Sequence, residues 1–382
     1  MSELIYLDYA AATPVDADVL AAMQPYFSEK FYNPSATYLQ AKAVRKDVEA
    51  ARHKVAQTLG VRPSEIVFTA GGTEANNLAI HGIMSKHPDA EVVVTAVEHD
   101  SVLKSAAEHS HSIAPVLPNG RLNLRALQKT ITDATLLVSV MLVNNEIGTL
   151  LQVSDVAEII ANVREKRAAR GITRPIYLHT DAAQAPLYFN VQPVKLGVDL
   201  MTLNGGKIYG PKQSGMLYVK TGVQLSPRIV GGGQELGRRS GTENVASIIG
   251  FSVALEKAAA RYQQAHRAMY ELQRYFLQGF GENIPTAVVD GDRKHSTPNN
   301  VHMTFPGVDN ERLMMELDEA GIICAEGSAC SASSDEPSHV LKAIGLSDET
   351  ARSTLRFTMG RSTTKAHIDY VIATLQKLLA NY

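Results

Sequence analysis

The sequence predicts an α/β fold with a mainly parallel central sheet, followed by a smaller α+β domain. Three observations predict it. Between residues 65 and 220, short β-branched runs (65–69, 91–96, 136–140, 176–179, 200–203 and 216–220) alternate with amphipathic stretches such as 73–86 and 153–170. That alternation is the pattern of βα units wound into a parallel sheet. From 251 to about 281 the pattern becomes one long helix rich in Ala, Gln and Tyr. Beyond it come short strands (300–305, 354–358) and helices (311–320, 365–379), which suit an α+β unit. The boundary falls inside the long helix, giving a large domain over 14–258 and a small one over 259–382, with 1–13 packing against the latter. Segments 118–121 and 331–338 read as loops from their Pro, Asn, Gly and Ser content.

At 382 residues the chain exceeds one ordinary core, in keeping with two domains. Hydrophobic residues at 45% and charged residues at 20% are ordinary for a soluble globular protein. A net charge of -2 argues against an electrostatic grip on nucleic acid or membrane. The first ten residues carry Glu3 and Asp8 but no basic side chain, unlike a secretory or transit segment, and the longest apolar stretch is far short of a membrane span. The expectation is a cytoplasmic protein. The two cysteines, Cys324 and Cys330, form no CxxC pair for zinc and no disulfide framework, so each is a small core residue or a reactive thiol.

Three motifs carry chemistry. Gly71-Gly-Thr-Glu-Ala-Asn-Asn77 follows a strand and opens a helix, where free N–H groups of Gly72 and Thr73 and the Thr73 hydroxyl make a phosphate cradle. Taken alone, such a turn is often only a packing device. There is no Walker lysine and no GxGxxG, so ATP or a dinucleotide fits poorly. Asp181, in His179-Thr-Asp-Ala-Ala-Gln184, ends a strand; it is either a helix N-cap or a carboxylate aimed into the ligand crevice. Lys207 lies in Asn204-Gly-Gly-Lys-Ile-Tyr-Gly-Pro-Lys212, where a lysine among glycines can be approached closely by a ligand. A phosphate cradle, a carboxylate for a pyridine nitrogen and an amine together meet the needs of pyridoxal 5'-phosphate.

With these motifs in place, the chain resembles the class V aminotransferase-like, fold-type I pyridoxal-phosphate enzymes, and within them the NifS/IscS-type cysteine desulfurases. The resemblance runs nearly end to end, through Tyr6-Leu-Asp-Tyr-Ala-Ala-Ala-Thr13, Asn33-Pro-Ser35, the turn at 71–77, Glu98-His99 and Val143-Asn-Asn-Glu-Ile-Gly-Thr149. It continues through the motifs at Asp181 and Lys207, Gly231-Gly-Gly-Gln-Glu235, Arg239-Ser-Gly-Thr-Glu-Asn244, Gly327-Ser-Ala-Cys330 and Leu355-Arg-Phe-Thr358. It implies helices on both sheet faces, and a covalent link from Lys207 to the cofactor, after which the same amine shuttles the substrate α-proton. It further implies that Asp181 pairs with the pyridine nitrogen, His99 stacks on the ring, Gln184 meets the ring hydroxyl, and Gly72, Thr73 and Asn204 serve the phosphate. Asn145 would orient cofactor and substrate, and Arg356 would clamp the substrate carboxylate, with nearby Arg361 the candidate for a purely structural ion pair. Thr242 would reach the phosphate of a neighbouring subunit, which implies a homodimer.

Cys330, in a run of small polar residues, is the nucleophile implied for sulfur: it would attack the substrate sulfur, carry a persulfide and leave L-alanine. The segment 331–339 resembles the long catalytic loop of the NifS/IscS branch, which implies a sulfur-acceptor protein such as an iron–sulfur scaffold or a tRNA-thiolation protein. Cys324, in an apolar stretch, reads as core. The sequence departs from the family pattern where Ser-Gly-His-Lys is usual and Asn204-Gly-Gly-Lys207 stands, and at Tyr9, Ala12 and Tyr38, where Asn, Thr and His are usual. Alternatives at this point are a selenocysteine lyase or other class V enzyme, a non-catalytic scaffold homologue, and an unrelated α/β phosphate-binding protein.

Overall fold

A computed structural model describes residues 4–326 and 336–382. Its centre is a seven-stranded sheet: β1 (Ile66–Thr69), β2 (Glu91–Thr95), β3 (His111–Ala114), β4 (Thr135–Ser139), β5 (Tyr177–Asp181), β6 (Leu200–Asn204) and β7 (Gly215–Val219), in the order β1-β7-β6-β5-β4-β2-β3. All pairings from β3 across to β6 are parallel, and β7 runs antiparallel to both β6 and β1. Strands such as β1, β4 and β7 are buried at every position, because the sheet is covered on both faces and the apolar runs need not alternate. In such a sheet the loops at the carboxyl ends of the parallel strands form the ligand crevice.

Helix α1 (Gly72–Met84) leaves β1 through Gly71, whose φ of 119° is open to glycine and strained for other residues. A side chain on Gly215 of the adjacent strand would lie 2.8 Å from the Gly71 Cα, so backbone meets backbone here. Helix α2 (Asp100–Ala107) follows β2, and α3 (Val245–Asn283) is a single helix of 39 residues. Phe251 and Leu255 of α3 join the large core beside the sheet, whereas Phe276 and Phe280 join a second core with Val301, Met303, Leu355 and Phe357. One helix therefore carries both apolar clusters, and it begins six residues earlier than its Ala-rich pattern suggests, because Asn244 caps it through Ser247 N.

The second core rests on a three-stranded antiparallel sheet of β8 (Val288–Val289), β9 (Asn300–Thr304) and β10 (Thr354–Thr358). The N-terminal segment crosses this unit: Ile5–Tyr6 pairs in parallel with Ile322–Ile323, and the Leu7 carbonyl accepts from Thr358 N at 2.7 Å. Ser338 caps a helix at His339–Ala343, so the polar stretch after Cys330 ends in a helix that its Ser and Pro content conceals. Among the described residues no helix is long and apolar enough to cross a membrane.

The segment carrying Gly231-Gly-Gly-Gln-Glu235 is pinned by a buried ion pair. Arg52 meets Glu235 in a two-bond fork at 2.8 and 2.7 Å and lies over the Phe68 ring, and Glu235 also accepts from Phe68 N. Glu235 and Leu236 both hold positive φ, 48° and 60°, a conformation that costs non-glycine residues of order 1–3 kcal/mol each. The fork offsets that cost. Glu235→Ala would leave the buried guanidinium only the half-exposed Glu49 at 3.3 Å and the Ile66 carbonyl, and is expected to lower unfolding free energy by about 3 kcal/mol, read from denaturant titration of the purified protein; a loss under about 1 kcal/mol would show that the pair is not what holds the segment.

Candidate active site

Five loops at the carboxyl ends of β1, β2, β4, β5 and β6 converge on one cleft, closed by the N-terminal segment and β10. Gly72, Thr73, His99, Asn145, Asp181, Gln184, Asn204, Lys207 and Arg356 all line it. Two sequence-expected residues stand apart. Thr242 is exposed and lines a separate depression with Arg239 and Gly241. Cys330 lies outside the described residues.

Lys207 sits in a short turn after β6, and its Nζ donates to the carbonyls of Ala10 and Ala11 at 2.8 and 2.7 Å. Gln184 donates to the Ala10 carbonyl as well, at 3.0 Å. Thr13 binds the same turn, with its N–H and hydroxyl both donating to the Gly206 carbonyl. The motif at 6–13 thus forms the wall against which the lysine amine rests.

Asp181 ends β5. One carboxylate oxygen accepts from Ala183 N at 2.9 Å, as a turn-capping aspartate would, and the other accepts from Asn76 Nδ2 at 2.7 Å. Asn76 is buried on α1 and also donates to Ser101 Oγ at 2.9 Å. Ser101 in turn contacts His99 Nδ1, which accepts from Ser101 N at 3.1 Å. That bond makes Nδ1 an acceptor and assigns the ring proton of neutral His99 to Nε2. Asp181, Asn76, Ser101 and His99 therefore form one network under the cleft.

Glu98 precedes His99 and is fully buried. One oxygen accepts from Thr95 Oγ1 and Met141 N, both at 2.7 Å; the other meets no partner among the described residues. Burial pushes its carboxyl up to about 8, so it is a neutral acid at pH 7. His339 donates its Nε2–H to the Glu98 carbonyl at 2.9 Å and stands 4.0 Å from Asp100, and Ser338 donates to Glu146, so both residues after 327–335 are tied to the cleft.

Arg356, on β10, is buried and holds two partners: Nη2 donates to Asp8 at 2.7 Å and Nη1 to the Asn145 carbonyl at 2.9 Å. The structural ion pair expected at Arg361 is present, to Asp16 at 2.8 Å with the guanidinium over Tyr209, but Arg356 carries one too. Cys324 is buried just after its two-residue strand, and burial pushes its thiol up to about 12, which suits a core residue.

These residues fit pyridoxal phosphate. The first-turn N–H groups of α1, whose N-cap Gly71 supplies no side chain, face the Asn204 amide across a gap that a Gly72 side chain would narrow to 3.4 Å. Asp181 is met by neutral donors, which leaves its charge for a protonated pyridine nitrogen. Asp8, Asn76, Glu98 and His339 lie inside segments that carry the resemblance but received no role there, and Ser101 lies outside them; all five are site residues. Each is an ordinary residue in sequence, and only its tertiary partner shows its place.

The chain belongs to the class V aminotransferase family, whose model matches residues 5–371. It is 37% identical over 388 residues to the cysteine desulfurase IscS of Clostridium botulinum, covering 99% of this chain and 95% of that protein. The IscS of Dictyoglomus turgidum is likewise 37% identical over 390 residues, with 99% and 95% covered. Among solved structures, a NifS-like protein superposes with a TM-score of 0.90 at 30% identity over all of both chains. SspA in complex with cysteine superposes at 0.80 with 32% identity, over 93% of this chain and 98% of that one. The family's enzymes depend on pyridoxal phosphate, and this chain presents the same end-to-end fold.

Glu98 yields a prediction. Its folded value lies above the ordinary carboxyl value of 4.5, so its contribution to stability is complete below pH 4.5 and is lost as pH rises toward 8. Glu98→Gln should flatten the decline in unfolding free energy between pH 5 and 8, by a few kcal/mol across that range. An unchanged slope in denaturant titrations at stepped pH would contradict a neutral Glu98.

Proposed function

We propose that this chain is a pyridoxal-phosphate-dependent cysteine desulfurase that converts L-cysteine to L-alanine and transfers the sulfur as a persulfide on Cys330. The observation that carries it is the meeting of Lys207, Asp181, His99, Gln184, Asn145 and Arg356, from five separate places along the chain, in a single cleft. Relatives bearing the cysteine desulfurase name cover almost the whole chain and support the same reading.

Pyridoxal phosphate, when bound, supplies an electron sink for the pair left at the substrate α-carbon. Lys207 would anchor it and, with its amine free, would take the α-proton; the Ala10 and Ala11 carbonyls hold that amine at the cleft wall. Asp181 would keep the ring nitrogen protonated, with Asn76 fixing the carboxylate. His99, oriented by Ser101, would cover the ring. Gly72, Thr73 and Asn204 would hold the phosphate and Gln184 the ring hydroxyl. Arg356 binds the substrate carboxylate through its two terminal nitrogens, each of which retains a second N–H, and Asn145 orients the substrate beside it. The Cys330 thiolate attacks the substrate sulfur: an S–S bond forms, the substrate C–S bond breaks, and the released three-carbon unit gains protons to become alanine.

The finer assignments rest on the same reading. Thr242, exposed and outside its own cleft, serves the phosphate site of a second copy in a homodimer, and exposed Phe27, Phe31, Val230 and Leu236 supply apolar surface for one. The proposed division into domains over 14–258 and 259–382 has most of the second core falling after 259, although Val340, Leu341, Ile344 and Ala351 pack into the large one. The persulfide passes to an acceptor protein, of the iron–sulfur scaffold or tRNA-thiolation kind.

Cys330→Ala is the direct test. Mixed with L-cysteine, it should still change the cofactor absorbance while alanine release falls by at least a hundredfold and no persulfide is found by mass spectrometry. Alanine output equal to that of the unaltered protein would remove Cys330 from the mechanism.

A further inference from the structure

Strands β9 and β10 are buried at every position, yet they alternate apolar and polar. Val301, Met303, Leu355 and Phe357 enter the small core. Asn300, His302, Thr304, Thr354, Arg356 and Thr358 lie on the opposite face, each less than 6% exposed. A buried polar face is costly unless every group on it is satisfied. Most groups are met: Asn300 Nδ2 donates to the Glu146 carbonyl, although Asn300 Oδ1 has no partner among the described residues, Thr358 accepts from Ala10 N, and Arg356 meets Asp8 and Asn145.

Two nitrogens on this face are not. His302 Nε2 and Arg356 Nε have no hydrogen-bond partner among the described residues. The two residues are direct cross-strand partners. Arg356 spends its backbone N–H and C=O on Ala325, and the His302 carbonyl accepts from Asp290 N, so both backbones point away from each other. Theirs is thus a non-hydrogen-bonded pair, the kind in which side chains on one face come closest, with Cα atoms about 4.5 Å apart.

The polarity of the two nitrogens is complementary. His302 Nδ1 lies 2.8 Å from Asp290, whose carboxylate also accepts from Thr304 Oγ1, and the His302 and Asp290 side chains are 0% and 5% exposed. With Nδ1–H donated to the carboxylate, Nε2 of an uncharged ring is a lone-pair acceptor, whereas Arg356 Nε carries a proton to donate. A hydrogen bond from Nε–H to Nε2, direct or through one bridging water, would satisfy both.

We propose that the Asp290–His302 pair is a positioning device for Arg356, fixing the rotation of its guanidinium so that the two terminal nitrogens present their remaining N–H groups to a substrate carboxylate. Asp8 and Asn145 hold the far end of the guanidinium and His302 holds the near end, so the plane is set from three sides. The inference rests on the reading of Arg356 as the carboxylate clamp, and it assigns His302 to substrate affinity, not to the chemical step.

The test compares holoenzyme variants with L-cysteine. His302→Phe should raise KM about tenfold while kcat stays within about twofold and the resting cofactor absorbance is unchanged, the size expected for one hydrogen bond to a charged group. His302→Gln, which keeps a polar end, should recover most of the loss. Arg356→Lys is the control. If it raises KM and His302→Phe does not, the positioning role is overturned while the clamp stands. If neither variant moves KM, the clamp reading falls and the inference with it. Should His302→Phe fail to fold, the imidazole 15N spectrum of the unaltered holoenzyme decides: L-alanine binding should shift the His302 Nε2 resonance, and a resonance indifferent to the ligand overturns the coupling.

Discussion

The arrangement depends on one contact, the Lys207 amine against the carbonyls of Ala10 and Ala11. Those carbonyls belong to a segment that the small sheet holds through Leu7, Ala10 and Asp8, while the lysine belongs to the turn after β6 of the large sheet. The contact therefore joins the two halves at the reacting group itself. The motif at 6–13 thus serves the site through its main chain at Ala10 and Ala11 and through the side chains of Asp8 and Thr13.

Around that contact the charges are arranged sparingly. Asp181 faces the cleft with only neutral donors on it, and Glu98, close enough to feel its charge, is held as an acid by burial. A second carboxylate there would compete for the ring nitrogen's proton and repel the substrate carboxylate. Arg356 is the complementary case: a buried cation whose charge is met by Asp8, so that the substrate-free site does not carry an unpaired buried ion. Arg356 thus keeps its counterion before and after substrate arrives, its remaining N–H groups being the ones left for the carboxylate.

Much of this was legible in the sequence because it follows local rules. The apolar runs placed all but one of the central strands within two residues, and the missing one, β3 at His111–Ala114, is an edge strand whose alternating exposure hides it. Eight of the nine cleft residues that the motifs point to follow or end a strand of the central sheet, where position in sequence fixes position in the crevice; Arg356 comes instead from the middle of β10. The roles of Asn76, Ser101, Asp8 and His302 were not legible, since an amide, hydroxyl, carboxylate or imidazole acquires its role only from its tertiary partner, 105 positions away for Asn76 and 348 for Asp8. Arg356 shows the same limit in another form: beside the clamp role proposed for it, the structure gives it an ion pair to Asp8 that its motif does not announce.

The most direct measurement is peptide mapping by mass spectrometry after borohydride reduction of the protein reconstituted with pyridoxal phosphate. The account predicts a pyridoxyl group on Lys207 alone, and none on the neighbouring Lys212. Stable modification at Lys212, or no modified lysine at all, would contradict it.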